Sequence, residues 1–148
     1  MDIAQAKAVN DAVRTIAMRH RALAATLLGP LGLHPGQEVL LFDLDEHGPR
    51  TQVQLATASG CEPPTITGSV RRLESAGLVV RHPSPTDGRV TIVELSDRGR
   101  ALMPDLRQAW VQLAERTVTE SGDPPPAQLA AVLTDLAAGL RRSGSRPA

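Results

Sequence analysis

Apolar residues recur at helical spacing from the start of the chain: Ile3, Ala6, Val9, Val13, Ile16, Ala17, Leu23, Ala24, Leu27 and Leu28. Steps of three and four residues place side chains on one helical face, so this stretch reads as a long helix. Gly29-Pro30 stops it. Pro35 suits the first turn of a second helix carrying Val39, Leu40 and Leu44, which ends at Gly48-Pro49. Thr51 and Gln54 have capping-box spacing, in which each side chain satisfies a free backbone N–H of the other. The short helix they open runs through Leu55 and Ala58 to Gly60. A fourth helix is predicted from Pro63 to Gly77, because prolines in a first turn remove N–H groups that have no partner there.

The pattern then changes from helical to extended. Leu78–His82 and Val90–Leu95 are β-rich, and the turn-forming run Pro83-Ser84-Pro85-Thr86-Asp87-Gly88-Arg89 lies between them. The pair reads as a hairpin with a long tip. Ser96 is placed to cap a fifth helix through Leu102, Leu106, Ala109, Trp110 and Leu113, with Pro104 positioned to kink it. Gly122-Asp123-Pro124-Pro125-Pro126 interrupts the chain. A last helix aligns Leu129, Val132, Leu133, Leu136 and Leu140. The expected fold class is mainly α with a small β-hairpin (α+β): a winged helix-turn-helix at 31–100, flanked by long helices at 1–30 and 101–142. The tail at 143–148 is expected to be unstructured.

Composition narrows the picture. The chain has 148 residues, 41% of them apolar, and Phe42 and Trp110 are its only aromatics. The core must therefore be built from Leu, Val, Ile and Ala. No apolar run approaches the ~18 residues of a membrane span, and the first residues lack the basic and apolar regions of a signal peptide. A cytoplasmic location without a membrane partner is expected. One cysteine, Cys61, excludes an internal disulfide. The formal net charge is zero, but 63–100 carries six arginines against four acids while 31–62 carries Arg50 against five. A neutral chain with a basic segment is compatible with DNA binding on one surface and also with an ordinary solvated surface.

Candidate chemistry concentrates in the fourth helix and the hairpin. Ile66, Val70 and Leu73 share one face and should be buried. The opposite face carries Pro64, Gly68, Arg71, Arg72 and Ser75, with Thr65 and Thr67 at its flanks. Small residues let a helix backbone approach base edges, hydroxyls offer donors and acceptors, and arginine bonds guanine or phosphate. An amphipathic helix with a solvated polar face has the same pattern. The hairpin adds Arg89 at its tip, where a guanidinium is placed to enter a minor groove, and Asp87 is placed to hold that arginine or to pair with one on the helix. His20, His34, His47 and His82 lack metal-ligand spacing, and no phosphate loop or nucleophile motif is present. Neither an enzyme nor a cofactor is expected. The Asp43/Asp45/Glu46 cluster reads as a solvated helix face.

The run LESAGLVVRHPSPTDGRVTIVELSDRGRAL (Leu73–Leu102), with QLATASG (Gln54–Gly60) and TITGSVRRLE (Thr65–Glu74) upstream, resembles the signature of the multiple-antibiotic-resistance regulator (MarR) family. The shared features are a leucine-acid pair, a Gly-Leu-Val turn, a wing with Asp-x-Arg, and a Ser-x-x-Gly helix start. The resemblance implies a homodimer joined through the flanking helices, usually a repressor, on a pseudo-palindromic double-stranded DNA operator. It places Pro64, Thr65, Thr67, Gly68, Arg71 and Arg72 in the major groove and Arg89 in the minor groove, with Asp87 orienting the wing. It also implies release by a small aromatic or phenolic ligand. Two residues depart from the pattern. Glu62 stands where Ser or Thr usually caps the recognition helix, and Pro63 stands where a polar or basic residue is common. Cys61 takes a position the family fills with Val, Ile or Leu, so it is expected in the core; the alternative is a redox-sensing regulator acting through that thiol. A further alternative is a winged helix that binds protein and not DNA.

Overall fold

A computed structural model describes residues 1–118 and 124–144. The element order is α1 (Ile3–Leu28), a 3-10 turn (Gly29–Leu31), α2 (Gln37–His47), β1 (Arg50–Thr51), α3 (Gln52–Ser59), α4 (Pro63–Ser75), β2 (Val79–Pro83), β3 (Thr91–Leu95), α5 (Asp97–Val118) and α6 (Pro126–Gly144). The chain forms two compact units, Met1–Leu113 and Ala114–Ala148. Each is described by itself.

The first unit is closed around aliphatic side chains. Ala24 and Leu28 of α1, Leu40, Leu41 and Leu44 of α2, Leu55 of α3, and Ile66, Val70 and Leu73 of α4 are buried together. Val79, Val93 and Leu95 of the sheet and Met103, Leu106 and Leu113 of α5 complete the cluster. The Ile66/Val70/Leu73 face is buried as its spacing predicts. The two aromatics stay outside this cluster's centre and pack on each other, Phe42 of α2 against Trp110 of α5, with ring centroids 5.6 Å apart.

Element ends follow their capping chemistry. The Thr51/Gln54 box is formed, with the Thr51 N–H donating to Gln54 Oε1 (2.9 Å) and the Gln54 N–H to Thr51 Oγ1 (3.1 Å). α2 starts later than its proline suggests. Pro35 lies before the helix, and Gly36, in the left-handed region at φ 105°, is its N-cap. The hairpin is part of a three-stranded antiparallel sheet of order β1-β3-β2. Arg50 and Thr51 pair with Val93 and Ile92, a two-residue strand too short to leave a periodic signal. β2 and β3 pair from Val79↔Leu95 to Pro83↔Thr91.

The junction of α4, the sheet and α5 is the tightest point. Ser96 Oγ donates to the Gly77 carbonyl (2.6 Å) and accepts the Gly99 N–H (2.9 Å), the expected cap. A Cβ on Gly99 would sit 2.0 Å from the Leu78 carbonyl oxygen, so only glycine fits there. Pro104 lies inside α5.

The acidic cluster is not simply a solvated face. Asp43 accepts from Arg50 Nε at 3.1 Å and lies 3.1 Å from His47 Nδ1, while Asp45 pairs with Arg107 of α5. The Asp45–Arg107 pair joins residues too distant in sequence for a local pattern to reveal. The terminal helices leave apolar side chains in the open: Val9, Val13 and Ile16 on α1, and Val132, Leu133, Leu136 and Leu140 on α6. α6 extends to Gly144, two residues into the tail expected to be unstructured; 145–148 lie outside the described residues, as do Gly122 and Asp123 of the expected break. No helix among the described residues is long and apolar enough to cross a membrane.

Candidate nucleic-acid interface

α4 presents three polar stripes around its buried face. Pro64, Gly68, Arg71 and Ser75, at steps of four, three and four residues, form the outer stripe; all are exposed except Gly68, which is half-buried. A Cβ on Gly68 would meet nothing closer than an Arg72 guanidinium nitrogen at 3.8 Å. The protomer's own packing therefore does not require glycine there, although glycine inside a helix costs about 1 kcal/mol relative to alanine. Thr65, Ser69 and Arg72 form a second stripe, turned toward the connector between α1 and α2, where all three line one cavity with His34. The third stripe, at Thr67, faces α3. Thr67 Oγ1 lies 3.2 Å from Gln52 Oε1 and 3.1 Å from the Pro63 carbonyl. A hydroxyl has one proton, so it donates to one of these at a time.

The arginines divide by partner. Of the five between Leu31 and Leu95, Arg50 is held by Asp43, and Arg81 by Glu74 at 2.6 and 2.8 Å. The Glu74 hydrogen bond holds the Arg81 guanidinium above its ordinary pKa. This pair ties the end of α4 to β2, the first strand of the wing. The other three, Arg71, Arg72 and Arg89, are exposed, and no side chain among the described residues pairs with their guanidinium groups.

The wing tip is held by its own backbone. Asp87 Oδ1 accepts the Arg89 N–H at 3.0 Å, the Asp87 carbonyl accepts the Val90 N–H at 2.9 Å, and Ser84 N–H donates to the Val90 carbonyl at 2.8 Å. Asp87 thus fixes the Arg89 main chain and leaves its guanidinium free; it pairs with no arginine of α4. Glu62 is the N-cap of α4 but makes no side-chain capping bond.

Cys61 corrects an expectation. It is exposed in the turn between α3 and α4, with Sγ 3.7 Å from the Ser59 carbonyl. The left-handed Gly60 (φ 64°) ends α3 and carries the next residue outward, away from the core where its neighbours Leu55 and Ile66 pack.

Comparison with known proteins gives this arrangement a lineage. The model of the MarR family matches residues 33–91, the segment from α2 to the wing tip. The HTH-type transcriptional repressor NicR of Pseudomonas putida is 35% identical over 107 residues, covering 72% of this chain and 68% of the relative. The chain belongs to the MarR family. Solved MarR-like structures superpose over nearly its whole length. Bordetella bronchiseptica BpsR, described for regulation of its DNA binding by 6-hydroxynicotinic acid, matches with 25% identity and a TM-score of 0.77, covering 94% of each chain. The transcriptional repressor CouR, solved on a 23-mer DNA duplex, matches with 27% identity and a TM-score of 0.78, covering 93% of this chain and 96% of the other. The family is one of transcriptional regulators, and all the residues singled out on α4 and the wing lie inside the matched segment. Gln52, Glu74 and Arg81 escaped the sequence reading. Their roles arise from contacts across the turns between elements: Glu74 belongs to the leucine-acid pair, but nothing in its spacing shows that Arg81 is its partner.

Proposed function

We propose that this MarR-family regulator acts as a homodimeric repressor of a pseudo-palindromic operator. The observation that carries this reading is the set of unpaired guanidinium groups. Among the described residues, Arg71 and Arg72 on α4 and Arg89 on the wing have no carboxylate partner, whereas Arg50 and Arg81 do. Unpaired arginines on a helix and a hairpin tip suit phosphate and base contacts, and Arg89 at a narrow tip suits a minor groove. Gly68 allows close approach of the helix backbone to base edges, with Pro64, Thr65 and Thr67 beside it. Asp87 holds the tip that carries Arg89.

The flanks at 1–30 and 101–142 are read as the dimerisation region and 31–100 as the DNA-binding lobe. The exposed apolar rows of α1 and α6 support this, because a second copy is the natural partner for such surfaces in this family. Two-fold symmetry would set half-sites about 34–36 Å apart, one DNA turn. By analogy with BpsR, a small aromatic acid is proposed to lower operator affinity through stronger binding to the DNA-free form. The role is regulatory and not catalytic.

Selection of binding sites from random duplex DNA with the full chain tests the proposal. An inverted repeat with half-site centres one turn apart is expected. Recovery of no sequence would favour a winged helix that binds protein.

A further inference from the structure

We infer that Glu62 is a base-reading residue, and that its carboxylate selects a cytosine through the exocyclic amino group in the major groove of each half-site. The inference rests on the repressor reading above and names one determinant of operator sequence. Glu62 stands at the entry of α4. It is exposed, and its side chain makes neither a capping bond nor an ion pair with any of the described residues.

Its own helix offers this carboxylate nothing to cap. Pro63 and Pro64 supply no N–H. The N–H groups of Thr65 and Ile66 both donate to the Glu62 main-chain carbonyl, at 3.0 and 3.2 Å. A helix start draws phosphate when its first-turn N–H groups are free. Here they are absent or occupied, so this end of α4 is not an anion site. The backbone nevertheless holds Glu62 in place. A residue before proline is confined to extended conformations, and Glu62 stands at φ −67° and ψ 146°. The two prolines fix φ at the next two positions, so the side chain leaves a stem that loses little backbone freedom on binding.

Position and charge decide what the side chain meets. A recognition helix contacts base edges with its N-terminal residues, and Glu62, Pro64 and Thr65 are exposed at that end. Arg71 comes nine residues later, about 13 Å along the helix axis. That exceeds the Debye length of ~8 Å at physiological salt, so the arginines of α4 do not neutralise the acid. A carboxylate only accepts hydrogen bonds. In the major groove, guanine and thymine present acceptors, and adenine sets its N6 amino group beside the N7 acceptor. Cytosine alone presents an amino donor, N4, with no acceptor on the same base. Over cytosine the carboxylate is satisfied; over the other bases it faces acceptors of like partial charge. Selectivity therefore comes from repulsion as well as attraction.

The test selects binding sites from random duplex DNA with the full chain as wild type, Glu62→Ala and Glu62→Gln. Wild type is expected to select cytosine at one position of each half-site. Glu62→Ala should lose that preference and keep the others. Glu62→Gln should move it to adenine, whose N6 and N7 match the amide's acceptor and donor. In gel-shift titrations, replacing that cytosine by thymine in both half-sites should weaken wild type roughly tenfold or more and Glu62→Ala less than about twofold. The side chain has no partner in the protomer, so melting temperatures should agree within about 2 °C; Glu62→Gln, nearly isosteric, carries the test if alanine disturbs the turn. Variants that select the same bases as wild type would overturn the inference. So would variants that bind every sequence more tightly by one factor, the mark of a carboxylate that only repels phosphate. Both outcomes leave an operator, and the repressor reading, in place. Wild type that selects no sequence at all overturns that reading and the inference with it.

Discussion

At the residue scale, the decisive distinction is between arginines that hold the fold and arginines left for a partner. Arg50 and Arg81 are held by Asp43 and Glu74, whereas Arg71, Arg72 and Arg89 have no side-chain partner among the described residues. Arg89→Ala should weaken operator binding by about 1–3 kcal/mol in a gel-shift titration and leave the dimer intact; unchanged affinity would remove the wing from the mechanism. Gly68 separates stability from function in one position. Its Cβ space is open in the protomer, so Gly68→Ala should raise helix stability by about 0.5–1 kcal/mol in thermal unfolding. The same variant should bind operator more weakly if α4 approaches bases closely at that point. Cys61 is exposed, so Cys61→Ser should change stability by no more than about 0.5 kcal/mol. A large loss in denaturant titration would restore the core placement that its family position suggested.

At the element scale, the α4–β2–α5 junction sets where the wing lies relative to the helix. Gly99→Ala would place a methyl 2.0 Å from the Leu78 carbonyl oxygen, and backbone must move to admit it. A loss of about 1–3 kcal/mol or more is expected in urea unfolding, with weakened DNA binding because the wing shifts. The helices were legible in the sequence because apolar spacing and Gly/Pro stops are local signals: α1, α3, α4 and the Ser96 cap stand where these put them. β1 was not, since two residues carry no periodicity, and its pairing with Val93 and Ile92 is made across forty residues of chain. The ion pair of Asp45 with Arg107 escaped because it too joins distant parts of the chain, and that of Asp43 with Arg50 because it crosses the turn between α2 and β1. Of the candidate site, the residue types and their helical face were readable from spacing. Which hydroxyls and guanidinium groups are free was not, because that depends on Gln52 meeting Thr67 and Glu74 meeting Arg81 in three dimensions.

At the scale of the whole molecule, two features call for partners. The apolar rows of α1 and α6 call for a second copy, and the free arginines of α4 and the wing call for an anion. Leu136, 56% exposed on α6, should be covered in the dimer; Leu136→Asp should shift the sedimenting species toward monomer and abolish two-half-site binding, since a carboxylate buried without a partner is costly. The proposal that the chain binds DNA through Arg71, Arg72 and Arg89 is tested most directly by titrating a selected operator at several salt concentrations. Two copies of these arginines neutralising phosphates would give a log affinity falling against log salt with a slope of roughly −5, or about a thousandfold loss between 50 and 200 mM. Replacing Arg72 by alanine in both protomers should flatten that slope by up to about 2. Affinity that is indifferent to salt, or a slope that survives removal of all three arginines, would contradict the assignment of this surface to DNA.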